Sequence, residues 1–213
     1  MANWLVPALL LVVVSWVGAW LIFSQPSVQQ QMSELTDQAI QKQVERGKMP
    51  KEAAEQARQI GQIIAKVTPF VAPVFVSFAT PFGWGLILWL VGTQILKSNF
   101  PFLKAVEVAG LASAISVLEA LVKALLVVSM GNLFASPTPA LLVKDFDPQK
   151  PSHALLAVVN VMTFWLLAVR AVGLARLTKV PFTRAAAWVF GIWAAYTGAF
   201  LGLGLAAKAA FGQ

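Results

Sequence analysis

Five apolar runs, each long enough to cross a lipid bilayer, leave this chain little choice of fold. A spanning helix needs roughly 20 apolar residues, at about 1.5 Å of rise each, to cross a hydrocarbon core of about 30 Å. The runs cover about residues 4–23, 67–96, 102–133, 153–177 and 182–211. Each is continuous and lacks the period-two alternation of barrel strands, so helices are expected. The expected fold is all-α: one membrane domain over residues 1–213, a polytopic five-transmembrane-helix bundle with an amphipathic helical hairpin between the first and second spans. Composition agrees, because only 12% of residues are charged and 58% are hydrophobic, whereas soluble domains carry about 25% charged residues.

The first span carries no charge from Trp4 to Phe23. It exceeds the roughly 7 to 15 residues of a signal-peptide core and has no small-residue cleavage signature, so it is expected to stay as an anchor. The second is punctuated by Pro69, Pro73, Pro81, Gly83 and Gly85, which predicts a kinked or tilted helix around Pro81. Between them, residues 24–66 form the only long polar segment. Val28, Met32, Leu35 and Ala39 recur at helical spacing, and after Gly47 to Pro50 the pattern restarts as Ala53, Ala57, Ile60, Ile64 and Val67. Two amphipathic helices covering 28–66 are expected, resting on the membrane or the bundle, or docking a protein partner.

A short echo links two helix starts. Pro101-Phe102-Leu103-Lys104-Ala105 and Pro181-Phe182-Thr183-Arg184-Ala185 both read Pro-Phe-x-basic-Ala. Two crossings separate them, so they share one face of the membrane. There the proline starts a helix and the basic residue can snorkel to phosphate; a chance match between ordinary helix starts is the plainer alternative.

Charges inside the bilayer cost about 3 kcal/mol or more near its centre unless paired or hydrated, so they are the leading functional candidates. Glu119 and Lys123 lie four residues apart in the third span, where they can neutralise each other. Glu107 and Arg170 lie at similar depths in the third and fourth spans, which predicts a contact between them. The four residues are either buried pairs that fix helix register or parts of a proton or substrate path.

The formal charge of +7 in so apolar a chain suits anionic lipid and membrane orientation, and no RNA-binding motif accompanies it. Lys104, Arg176, Lys179 and Arg184 are the expected head-group contacts. The face carrying the long polar segment holds more basic residues in all, but acidic ones dilute them. The short loops 97–104 and 176–184 are purely basic, which places them on the cytoplasmic side of what is expected to be a bacterial inner membrane.

Catalytic signatures are missing. There is no cysteine and a single histidine, His153, expected at a head group rather than a metal. No Gly-rich phosphate loop, HExxH or G-x-S-x-G occurs, so no enzyme, metal or cofactor is expected. Asp145 and Asp147 could hold a cation weakly, and a turn before Pro148 accounts for them equally well. In the fifth span, Ala194, Gly198, Gly202 and Ala206 form a small-residue stripe that lets a neighbouring helix approach closely, with an intramolecular neighbour favoured over self-association.

The order of these features resembles bacterial members of the Yip1-domain family. The resemblance is carried by Trp4-Leu5-Val6-Pro7, the helical polar loop, and Phe102-Leu103-Lys104-Ala105-Val106-Glu107-Val108-Ala109. It continues through Thr163-Phe164-Trp165-Leu166-Leu167 to Val172-Gly173-Leu174-Ala175-Arg176-Leu177-Thr178-Lys179. It implies a five-helix membrane protein. Eukaryotic relatives are trafficking factors of the Golgi and endoplasmic reticulum that engage Rab-type GTPases through a long cytoplasmic arm. That arm is not present in this sequence, so the GTPase role is not carried over. The resulting expectation is a non-enzymatic, membrane-organising or trafficking-like scaffold that binds lipid or protein partners. Its competitor is a small-solute, ion or proton transporter or channel that uses the buried Glu, Lys and Arg.

Overall fold

The computed structural model describes residues 3–144, 146–147 and 150–211. Five helices among them are long and apolar enough to cross a membrane: Leu5–Phe23, Glu52–Ile95, Phe102–Met130, Val161–Thr178 and Phe182–Gly204. No described residue lies in a strand. Asp145 and Pro148 fall outside the described residues.

Helix α1 (Leu5–Phe23) is apolar on every side and turns directly into α2 (Pro26–Glu45). The Ser24 hydroxyl donates to the Leu21 carbonyl, and Pro26 opens α2 where a missing N–H costs little. Gln31 then fastens α2 to the bundle, its amide donating to the Gly131 carbonyl at 2.7 Å and accepting from the Leu133 N–H at 3.1 Å. That side chain satisfies polar groups left open where a helix ends. Beneath it Val28, Val127 and Ala135 form a small core.

Helix α3 (Lys51–Leu90) is a single 40-residue element. The second polar helix and the second span, expected as separate pieces, are continuous, because nothing between Lys66 and Val67 breaks the helix. At 1.5 Å per residue α3 is about 60 Å long, roughly twice a bilayer core, so its first turns stand clear of the membrane. There it packs along α2. A Cβ on Gly61 would stand 3.0 Å from Thr36 Cγ2, and Arg58 Nε lies 3.3 Å from Asp37 Oδ1. The contact runs along Thr36 and Gly61, while Ile60, Ile63, Ile64 and Val67 face outward. Pro81 lies within α3, fully buried, and a π-turn follows at Val91–Ile95.

The third span is broken at Ser113 into α4 (Phe102–Ala112) and α5 (Ala114–Met130). The expected fourth span also divides, into α6 (Pro151–Val158) and α7 (Val161–Thr178). Asn160 makes the second break by capping α7, its side chain accepting from the Met162 N–H. Helix α8 (Phe182–Phe211) completes the order. Helix α3 packs on α4, α1 on α5, and α7 on both α4 and α8.

The main core lies at the end of the bundle where α3 and α7 stop and α4 and α8 begin. It includes Leu88, Val91, Phe100, Ala109, Leu167 and Leu174. Ala105 and Ala185, the last residues of the two Pro-Phe-x-basic-Ala segments, are both fully buried in it. The Pro101 and Pro181 carbonyls each accept from the amide three residues on, of Lys104 and Arg184. The two segments therefore start their helices alike. The Ser98 hydroxyl donates to the Thr178 carbonyl and ties the ends of α3 and α7 together.

Candidate functional site

The four intramembrane charges do not form one network. Glu107 pairs with Lys104 on its own helix, Lys104 Nζ lying 2.8 Å from Glu107 Oε2. The expected contact with Arg170 is not made: the carboxylate turns toward Lys104, three residues before it at the start of α4. Glu119 does not pair with Lys123 either. It accepts from Asn160 Nδ2, joining α5 to the start of α7, and Lys123 faces outward beside a groove between α1, α2 and α5.

Arg170 is alone. It lies near the middle of α7, 2% exposed, with its guanidinium carbon 4.3 Å from the centre of the Trp84 ring. No ion pair among the described residues includes it, and its buried Nε has no hydrogen-bond partner. A cation–π stack contributes about 2 kcal/mol when desolvated, while burying an ion costs several kcal/mol even after relaxation. The stack by itself does not offset the burial.

Arg170 borders a hollow of about 270 Å³ to which all five spans contribute, through Leu11, Thr80, Ser116, Thr163 and Tyr196 among others. Ser77 borders it too, 2% exposed, its hydroxyl also without a partner. Pro81, four residues on, cannot supply the N–H that would ordinarily bond the Ser77 carbonyl. The lining also contains the break at Ser113, whose hydroxyl is satisfied by the Ala109 carbonyl at 3.2 Å. The arrangement is one fixed positive charge in a hydroxyl-rich hollow inside an apolar bundle. Sequence reasoning found Arg170 but missed Ser77, Trp84 and Tyr196. The available signal was their position as hydrogen-bonding side chains within otherwise apolar spans.

The basic residues expected at head groups lie at the other candidate surface. Lys104, Arg176, Lys179 and Arg184 all face outward at the end of the bundle that holds the main core. Lys97 and Lys179 turn the chain at the ends of α3 and α7 in left-handed conformation, with φ of 55° and 56°. Cations there complement the exposed carbonyls of the helix C-termini. Arg176 and Lys179 join Val172, Ala175, Val180 and Phe182 around a hollow of about 560 Å³ at the α7–α8 corner. Neither makes an ion pair among the described residues. Two cations without acidic partners stand beside the side chains of Val172, Ala175, Val180 and Phe182 at this corner.

Other candidates take structural roles. His153 Nδ1 accepts from the Asp147 N–H at 3.0 Å and its ring stacks on Phe146, so it holds the loop before α6. Ala194, Gly198, Gly202 and Ala206 all face outward, with nothing within 4 Å of a Cβ placed on either glycine. The favoured intramolecular neighbour is thus absent from this stripe among the described residues. Close approaches occur instead at other glycines, among them Gly85, where a Cβ would stand 2.9 Å from the Val106 Cα, and Gly173, where it would meet Val108. No group of three or more potential metal-ligating side chains occurs among the described residues.

A family model described as Yip1 domain matches residues 2–204. No curated protein and no solved structure matches the chain.

Proposed function

The chain belongs to the Yip1-domain family, and from that premise we propose that this membrane protein is a non-enzymatic organiser that gathers anionic lipid at its basic end. The observation that carries the proposal is the corner formed by Arg176 and Lys179, two cations without acidic partners beside Val172, Val180 and Phe182. Each basic residue near an anionic surface contributes about 1 kcal/mol of attraction. Lys97, Lys104 and Arg184 extend the charged surface along the same end. In this proposal that end, whose short loops 97–104 and 176–184 are purely basic, faces the cytoplasm of a bacterial inner membrane. The outward faces of α2 and of the first turns of α3, with Ile60, Ile63 and Ile64 exposed, provide a contact surface for a protein partner or a second copy.

The test is to reconstitute the protein in vesicles of mixed zwitterionic and anionic phospholipid, then extract it with its boundary lipid. The proposal expects anionic lipid enriched over the bulk ratio. A boundary with the bulk composition contradicts it.

One observation favours a second reading, passage of a small solute: the hollow at Arg170 is lined by every span. Sites of that kind, built at a junction of several spans, are common in transporters. Flux of protons and common ions in proteoliposomes, wild type against Arg170→Gln, tests it. Flux lost in the variant supports passage, and no flux in either sample rules out the ions assayed.

A further inference from the structure

We propose that the hollow at Arg170 binds a carboxylate, which serves as the counter-ion the protein itself does not supply. This goes beyond both readings above, since it requires neither lipid at the basic end nor passage through the membrane. Arginine keeps its charge in proteins, so the site cannot become neutral by losing a proton. No described acidic side chain pairs with it, and the carboxylates of Glu107 and Glu119 are engaged by Lys104 and Asn160. The Trp84 ring covers the guanidinium face, which leaves its edge for in-plane hydrogen bonding. Nε, on that edge, is buried and without an acceptor. A planar carboxylate matches such an edge with two parallel hydrogen bonds.

The surrounding groups support an oxygen ligand. The Ser77 hydroxyl is a second buried polar atom with no partner, and it borders the same hollow. Thr80, Ser116, Thr163 and Tyr196 add hydroxyls around the rim. A volume of about 270 Å³ far exceeds the roughly 30 Å³ that one water occupies in the liquid, so a small carboxylate fits. The carboxylate can come from water as a short organic anion or from the bilayer as the head of a fatty acid. Leu11, Val76 and Leu166 in the lining accommodate the first carbons of either.

The experiment uses the full chain in nanodiscs of zwitterionic lipid, at matched ionic strength. It is titrated with sodium acetate, sodium dodecanoate, dodecanol and sodium chloride, following tryptophan fluorescence and the thermal midpoint. A midpoint rising with the logarithm of ligand concentration is the signature of binding to the folded state. The expected result is a saturable response to a carboxylate, absent with chloride and dodecanol, and weakened at least about tenfold in Arg170→Met through loss of the charge-assisted pair. A response to acetate identifies a water-borne source, and one to dodecanoate alone a membrane source; both support the proposal. If Arg170→Met does not fold, Ser77→Ala and Thr163→Val decide, each expected to weaken the response severalfold. No carboxylate response in the wild type overturns the proposal. So does an equal response to chloride or dodecanol, or a response unchanged in the variants.

Discussion

The guanidinium of Arg170 sits 4.3 Å from the centre of the Trp84 ring, and that stack is the one described interaction that engages its charge. Removing the charge and removing the ring should therefore act in opposite directions. Replacing a buried, incompletely compensated ion with an apolar side chain of similar length is neutral or stabilising by about 1–4 kcal/mol. Arg170→Met is expected in that range in carboxylate-free buffer. Trp84→Leu leaves the charge without its ring and opens space, and should destabilise by roughly 3–5 kcal/mol. Unfolding of the two variants in one detergent measures the contrast.

Asn160 joins two helices at once. Its oxygen caps α7 and its amide donates to Glu119 on α5. Asn160→Ala should cost roughly 2–4 kcal/mol, the sum of a lost cap and a lost hydrogen bond to a charged group. Lys123→Ala should be neutral or stabilising, because that side chain faces outward from a span and makes no ion pair with Glu119. Equal losses in the two variants would point back to a Glu119–Lys123 pair. Thermal midpoints at matched detergent settle the comparison.

At Gly85 the helix meets a neighbouring backbone. An alanine Cβ there meets the Val106 backbone, 2.9 Å from Cα and 3.0 Å from N, and backbone cannot move aside as a side-chain tip can. Gly85→Ala should destabilise by about 1–3 kcal/mol. Gly198→Ala has nothing within 4 Å to meet and should be neutral or slightly stabilising through helix propensity of about 1 kcal/mol at most. Denaturation of the two variants gives the readout; a larger loss at Gly198 would reveal a partner helix on the small-residue stripe.

The absence of cysteine makes topology directly accessible. Thr36→Cys with Gly61→Cys should form a disulfide on mild oxidation, since α2 and α3 approach there. Single cysteines at Gln41 and Thr183, both outward-facing, report sidedness with a membrane-impermeant thiol reagent. Gln41→Cys is expected to react in intact cells and Thr183→Cys only after permeabilisation. The reverse pattern would invert the proposed orientation.

The five crossings could be read from the sequence because lipid imposes a length and an apolar composition on every span. Where helices break inside a span was not legible. Ser113 and Asn160 interrupt apolar runs with no proline beside them; the Ser113 break is satisfied locally by the Gly110 and Ala109 carbonyls, whereas Asn160 is also held by Glu119, far away in sequence. The continuity of α3 was hidden for the opposite reason, since a change in solvent along a helix looks in sequence like a boundary. The paired charges show the limit of depth arguments. Counting residues estimates a depth along a helix, but the partner a side chain finds depends on packing, so Glu107 pairs with Lys104 and not with Arg170. The shared starts of α4 and α8 were legible, because proline and a buried alanine fix both ends of the first turn.

The most direct test of the central proposal is native mass spectrometry of the protein released from mixed-lipid membranes, comparing wild type with an Arg176→Gln, Lys179→Gln double variant. The proposal expects anionic phospholipid retained on the wild type and reduced roughly tenfold or more on the variant, from about 1 kcal/mol lost per basic residue. Equal retention by both, or retention of zwitterionic lipid alone, would contradict it.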